Sequence, residues 1–453
     1  MKRVLVAVAA LAVTAFAPSH AANLTAQPLQ VTDANGTTQE VFCGLEKQDS
    51  GYIKLSNRVD AHYFYWYFES RSEPSTDPLV VWLPGGPGEG GTYGLLAENG
   101  PCTINDDLST TLNPYSWTTN ANMVWLDIPV NSGFSYSTVE EDDEFTEDRV
   151  DESVFWFLQG FLEKHPELQG REVFLVGESM GGHYVPAVAH YIWQQQHERL
   201  FTPGCSDFIP INLKGIAMGN GFTDPTEVDS KYGHMAVNNL NITLANETQL
   251  EAIRDAAPQC EQLMNECQAN LTLCPDADAL CTEALLSPLL EAHRNPYDIR
   301  QECNSSDLDV IECLLKVPNL KAYLNSPGLR DFLGRLFRGA DVFGVHFRRA
   351  LVSELLEVGV RVLMYAGDAD LICNVYATEA TAEKLQWSGA AGFSVSQSLS
   401  YTTESGIADA GRVRSYSRLT FVEVHNAGHM VPGDQPEVAL DMITKFTRNE
   451  MFY

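Results

Sequence analysis

The pentapeptide Gly177-Glu178-Ser179-Met180-Gly181 holds a serine hydroxyl between glycines, directly after the apolar run Val173–Val176 and ahead of the helix-like stretch Val185–Gln196. A strand that turns sharply into a helix through such a segment lifts the hydroxyl clear of the sheet, where it can serve as a nucleophile. Glycine is needed on both sides because neighbouring backbone crowds the serine Cβ, and the helix that follows aims its N-terminus at a developing oxyanion. A serine nucleophile requires a general base and an acid to orient that base. Taken in the order serine, acid, histidine, RVLMYAGDADLICN supplies Asp368 and Asp370 after a late strand, and FVEVHNAGHMVPGDQP supplies His425 and His429 after the last one. On residue type alone either aspartate and either histidine fits.

The stretch WLPGGPGEGG, residues 82–91, follows Leu79-Val80-Val81 and crowds five glycines and two prolines together. Glycines let backbone N–H groups approach a substrate carbonyl oxygen closely, so the loop reads as half of an oxyanion hole. A phosphate-binding loop is excluded, because no Gly-Lys-Ser/Thr follows and no helix start is apparent.

These segments need a frame that brings strand ends together. Short β-rich runs at Tyr63–Phe68, Leu79–Leu83, Met123–Asp127, Val173–Val176, Gly215–Met218, Arg361–Tyr365 and Leu419–Val424 alternate with helix-like segments within 145–168 and at Val185–Gln196, Val342–Val358 and Pro436–Arg448. In the first helix, Val154, Leu158 and Phe161 with Phe155 and Leu162 form an apolar stripe on one side. The alternation predicts an α/β fold with a mainly parallel central sheet and helices on both faces. Residues 23–222 and 340–453 then make the two parts of one core. Residues 223–339, rich in cysteine, mostly helical in pattern and without a convincing buried strand, read as a disulfide-bearing helical lid.

Residues 1–22 carry Lys2 and Arg3, an apolar stretch from Val4 to Ala17, and small residues near Ala21, the order of a secretory signal peptide. Six Asn-x-Ser/Thr sequons, at Asn23, Asn35, Asn241, Asn246, Asn270 and Asn304, agree with the secretory route, as does the cysteine usage. Six of the ten cysteines fall between Cys260 and Cys313 without the paired gaps and histidines of a zinc site, so disulfides are expected and their connectivity is left open. No later segment offers a membrane span. Without Lys2 and Arg3 the formal charge of −31 becomes −33, which argues against nucleic acid or anionic membranes as partners. Neither cofactor nor metal is implied.

Six motifs in order, WLPGGPGEGGTYGLLAENGP, NPYSWTTNANMVWLDIPVNSGFSYS, GESMGGHYVP, INLKGIAMGNGFTDP, YAGDADLICN and NAGHMVPGDQP, resemble those of the acid-active serine carboxypeptidases of the α/β-hydrolase fold, the S10 type. The likeness spans most of the chain outside 223–339. It implies Ser179 as nucleophile, Asp370 as orienting acid and His429 as base, with the Gly86 and Met180 N–H groups as the oxyanion hole. It implies Glu178 and Glu98 as the carboxyl pair that receives the peptide's C-terminal carboxylate, and Trp82, Pro84, Gly85 and Cys373 as residues lining the site, Cys373 being a buried free thiol. Two like charges in contact repel, so Glu178 can receive a carboxylate only when protonated. Raising the pH then weakens peptide binding while favouring a histidine base. Prolyl aminopeptidases share a GGPG loop, but the Glu178-Ser179 pair, NPYSW and AGHMVP fit the carboxypeptidases better.

The chain departs from that pattern in places. Pro84 stands where the family usually has the asparagine that helps bind the carboxylate; losing one hydrogen bond to a charged group costs about 1.5–3 kcal/mol, roughly tenfold to a hundredfold in affinity. Glu89 replaces a cysteine, Gly90-Gly91 replace two serines and Met180 replaces a tyrosine. With Cys373 free, nine cysteines remain, an odd number, and Cys43 with Cys102 is a guessed pair. The favoured reading is an acid carboxypeptidase, secreted or vacuole-like, that works through an acyl-enzyme on peptides with a free C-terminus. The alternatives are an esterase, amidase, acyltransferase or short-peptide-releasing enzyme that has lost the strict carboxylate requirement, and a non-catalytic binding relative. Side-chain preference and oligomeric state are left open.

Overall fold

The computed structural model describes residues 29–32, 38–201, 208–303, 319–326 and 348–452. The expected signal segment, sequons Asn23, Asn35 and Asn304, Cys205, Cys313 and residues 342–347 of the expected helix lie outside them.

Ten strands form one sheet: β1 (Gln48–Lys54), β2 (His62–Phe68), β3 (Leu79–Leu83), β4 (Asn122–Leu126), β5 (Glu172–Glu178), β6 (Asn212–Gly219), β7 (Arg361–Gly367), β8 (Leu399–Tyr401), β9 (Gly411–Tyr416) and β10 (Leu419–Val424). Their order is β8-β9-β10-β7-β6-β5-β3-β4-β2-β1. The six strands from β10 to β4 run parallel, and antiparallel pairs close both edges. The expected parallel sheet is therefore the centre of a mixed one.

Side-chain alternation along the strands builds two cores. On β2, Tyr63, Tyr65 and Tyr67 enter one cluster, with the helices Glu147–Lys164, Gly181–Phe201 and Arg349–Glu357. Phe64, Trp66 and Phe68 enter the other, with the helix Pro436–Arg448. Successive strand residues face opposite sides of a sheet, so an unbroken apolar run is what two covered faces require.

A third cluster lies within the insertion, among the helices Pro225–Met235, Glu247–Ala269 and Cys274–Cys281, and joins the body through Ala369, Leu371 and Ala377. Disulfides Cys260–Cys281 and Cys267–Cys274 staple it, Cys303 is disulfide-bonded as well, and Cys43 pairs with Cys102 as guessed. Cys373 is free and buried. Two expectations need correction. The insertion holds a small hairpin, Arg294–Asn295 with Asp298–Glu302, whose Asp298 and Ile299 are buried. A helix does start behind the glycine loop, at Thr92–Ala97; its N-cap residue, Gly91, has no side chain to cap it, so the local residues carry no start signal. Among the described residues no helix is long and apolar enough to cross a membrane.

Candidate active site

Strand register aligns the carboxyl ends that matter. Leu83 pairs with Gly177, Glu178 with Gly219, and Gly367 with Val424. Loops leaving these ends converge, the usual place for a site in a parallel sheet.

Ser179 follows β5 with φ +55°, a left-handed conformation uncommon for a non-glycine residue, held by its N–H donating to Gly219 O at 3.1 Å. A Cβ on Gly177 would lie 2.8 Å from Val185 Cγ2 and 2.9 Å from Leu83 O, so the turn tolerates no side chain there. Gly85 meets the serine directly: its Cβ would stand 2.9 Å from Ser179 Cβ and 3.3 Å from Glu178 O. Gly85→Ala is expected to cost about 1–3 kcal/mol through overpacking and to displace Ser179. A lowered Tm together with a lowered kcat would bear this out, and an unchanged Tm would contradict it.

Asp370 and His429 form the pair expected of acid and base. His429 Nδ1 lies 2.7 Å from Asp370 Oδ2, and Asp370 is 0% exposed. Three further donors converge on that carboxylate: Asn220 Nδ2 at 2.8 Å and the Cys373 N–H at 3.2 Å on Oδ2, and the Ile372 N–H at 2.9 Å on Oδ1. Asp368 and His425 stay outside this constellation. Asp368 accepts the Ala427 N–H at 3.3 Å, so it braces the histidine loop, and His425 Nδ1 lies 3.2 Å from Asp409 O. Cys373 links the pair to the serine, its thiol hydrogen-bonded to the Ser179 hydroxyl. Burial, then Asp370 and Glu178, push that thiol well above its ordinary range, which keeps it neutral and unreactive.

Among the described residues the N–H groups of Gly86 and Met180 donate to no protein acceptor, as an oxyanion hole requires. Gly86 has φ +106°, open only to glycine at little cost. The loop is anchored by buried Asp127, which accepts from the Thr92 N–H at 3.0 Å and the Thr92 hydroxyl at 2.6 Å with Oδ1 and from the Phe134 N–H at 2.8 Å with Oδ2. Trp82 is a core side chain, 1% exposed and edge-on to Trp117, so it supports the loop by packing. Pro84 is buried at the loop's start.

Glu178 and Glu98 are each 6% exposed and hydrogen-bonded to one another. Burial holds Glu178 well above the usual carboxylate range, and Glu98, Glu89 and Asp370 push the same way. Two buried carboxyls in contact cannot both ionise cheaply, so the pair keeps a proton.

Two residues that the sequence reading left without a role also act here. Asn220, just past β6, binds Asp370 with its amide nitrogen and the Gly367 N–H with its amide oxygen at 3.2 Å, locking the acid to β7. Its position in GNGFTDP, one residue beyond a strand end, is the available signal. Tyr297, from the insertion hairpin, accepts the His429 N–H at 2.7 Å and sets its ring edge-on to the imidazole, centroids 4.7 Å apart. Nearby, Pro296 O accepts the Leu371 N–H and Ala369 O accepts the Ile299 N–H, each at 2.9 Å. The insertion thus clamps both the acid and the histidine loops through backbone groups.

Among the described residues no cluster of histidine, cysteine or carboxylate side chains could hold a metal ion. A family model described as serine carboxypeptidase matches residues 39–449. Serine carboxypeptidase 3 of Oryza sativa is 36% identical over 409 residues, covering 89% of this chain and 79% of that protein. The vacuolar serine-type carboxypeptidase ATG42 of Saccharomyces cerevisiae is 34% identical over 418 residues, 88% of this chain and 79% of the relative. The crystal structure of Kex1, a prohormone-processing carboxypeptidase from the same yeast, superposes with a TM-score of 0.74 at 25% identity over 90% of this chain and 92% of that one. A match this continuous, running through the glycine loop, the serine turn and the histidine loop, places the chain in the serine carboxypeptidase family.

Proposed function

We propose that the protein removes C-terminal residues from peptides at acid pH, with Ser179 as nucleophile, His429 as base and Asp370 as the acid that orients it. Ser179 Oγ attacks the carbonyl carbon of the last peptide bond and its proton passes to His429 Nε2, the nitrogen left over once Nδ1 is committed to Asp370. The Gly86 and Met180 N–H groups receive the oxyanion. As the C–N bond breaks, His429 returns the proton to the departing amine, and water, deprotonated by the same histidine, then releases the acyl group.

The observation that carries this reading is the buried Glu178–Glu98 pair next to the serine. A protonated carboxyl there can donate to the substrate's terminal carboxylate, which an ionised one would repel. The expected result is a strong preference at acid pH for a blocked dipeptide over its C-terminal amide, fading toward neutral pH, with Ser179→Ala inactive on both. Equal cleavage of the two at every pH would instead favour a broader acyl hydrolase, the reading that Pro84 supports by removing an amide donor. The exposed sequon residues Asn241, Asn246 and Asn270, together with the disulfides, support a route through the secretory pathway to the cell exterior or to a vacuole-like compartment.

A further inference from the structure

Glu89 stands where the resemblance implies a cysteine, and it lies beside the loop residue that follows Pro84. Half-buried, it accepts the N–H of Gly85, the residue bonded to Pro84, and its Oε2 lies 3.2 Å from the position a Gly85 Cβ would take. The same Gly85 position is 2.9 Å from Ser179 Cβ, so the Glu89 carboxyl stands within a residue's breadth of the nucleophile. The ionisable groups around it come from every neighbouring element. Glu98 and Tyr93 belong to the helix Thr92–Ala97 and its end, Glu178 to β5, His429 to the loop after β10, and Tyr297 to the insertion hairpin. Three carboxyls therefore crowd one half-enclosed space, and His429 is the base whose charge favours an ionised Glu89.

We propose that Glu89 is the third carboxyl of the substrate-carboxylate subsite and that, in its protonated form, it supplies the hydrogen-bond donor that Pro84 cannot. A neutral carboxyl accepts with one oxygen and donates with the other, so Glu89 can hold the Gly85 N–H and still offer its O–H to a substrate. Burial, and then the nearby Glu98 charge, raise Glu89 to about 8, so the donor persists through the acid range in which Glu178 also keeps its proton. The substitutions at 84 and 89 then compensate for each other. The inference rests on the carboxypeptidase reading above.

The test compares kcat and KM for the blocked dipeptide acid and its amide from pH 4 to 8, in the mature protein and in Glu89→Ala, Glu89→Gln and the double variant Pro84→Asn/Glu89→Ala. Glu89→Ala is expected to lower the acid-over-amide preference about tenfold to a hundredfold, mainly through KM, the usual worth of one hydrogen bond to a charged group. Glu89→Gln keeps a donor that cannot titrate, so its preference should follow the parent's through the acid range and exceed it only toward pH 8, where Glu89 itself ionises. Restoring an amide at 84 in the Glu89→Ala background should recover most of the loss, which a merely structural role for Glu89 would not allow. A preference unchanged in Glu89→Ala, or a loss of kcat shared equally by acid and amide, overturns this inference alone. A parent enzyme indifferent to the amide overturns it together with the reading on which it rests.

Discussion

Asp370→Asn is expected to lower kcat about 10⁴-fold with little change in KM, the loss seen when an orienting acid becomes an amide. The hydrogen bonds around Asp370 explain the size. Four donors, from His429 Nδ1, Asn220 Nδ2 and the N–H groups of Ile372 and Cys373, converge on a carboxylate shut off from water. A carboxylate accepts from all of them, whereas a carboxamide turns half of itself into a donor. Its NH₂ must then face either His429, which forces the imidazole to carry its proton on Nε2 and leaves no base for Ser179, or the Ile372 N–H, where two donors collide. Substrate contacts are untouched, so the effect falls on kcat. Asp368→Asn is the matched control, because Asp368 braces the Asn426 and Ala427 N–H groups and does not touch His429, and it should stay within a few-fold of the parent. Steady-state kinetics at saturating substrate separates the two; an Asp370→Asn enzyme within tenfold of the parent, or an equal loss in Asp368→Asn, would remove Asp370 from its proposed role.

The same pair of aspartates shows how far sequence reasoning reaches. Residue type and strand order brought the search to a segment of three residues, and only the family resemblance chose between two carboxylates two positions apart. The structure separates them by what each touches. Central strands such as β3 and β10 read cleanly because both faces are covered, so every residue of Leu79–Leu83 and Leu419–Val424 is buried, and the expected bounds match. Strands β1, β8 and β9, at or next to the sheet's edges, were missed because half-exposed residues such as Gln48, Asp49 and Ser50 or Arg412 break the apolar run. Asn220 reaches Asp370 across 150 positions of chain, and Tyr297 holds His429 with a carbonyl that any residue possesses. Contacts of that kind depend on tertiary placement and leave no mark on residue identity. The insertion was legible as a cysteine-rich helical unit, but its grip on the loops that carry Asp370 and His429 was not.

The second large effect concerns stability. The protein is expected to be most stable near pH 4–5 and to lose stability as the pH rises toward 8. Glu178 is held well above its ordinary 4.5, chiefly by burial; Glu89 is raised from 4.5 to about 8 by burial and Glu98; and Asp229 is raised from 3.8 to about 8 by burial and Asp278. In the unfolded chain these groups ionise near pH 4, while the folded protein keeps their protons until much higher pH. Between those limits the folded state binds more protons, so unfolding releases them and becomes easier as pH rises, by about 1.4 kcal/mol per pH unit for each such group. The general repulsion of a chain with a formal charge of −31 adds to the same trend. Asp49 works in the opposite sense: despite its burial, hydrogen bonds from His165, Lys164 and Tyr65 hold it well below 3.8, so its contribution disappears only at lower pH and sets the acid limit of the plateau. Thermal melts at pH 4.5, 6 and 7.5 should therefore show a falling Tm, and Glu178→Gln or Asp229→Asn should flatten the fall while raising Tm at pH 7.5. A Tm that rises or stays level over that range would mean that these carboxyls ionise in the folded protein, and the protonated carboxyl proposed to receive the substrate would then lack its physical basis.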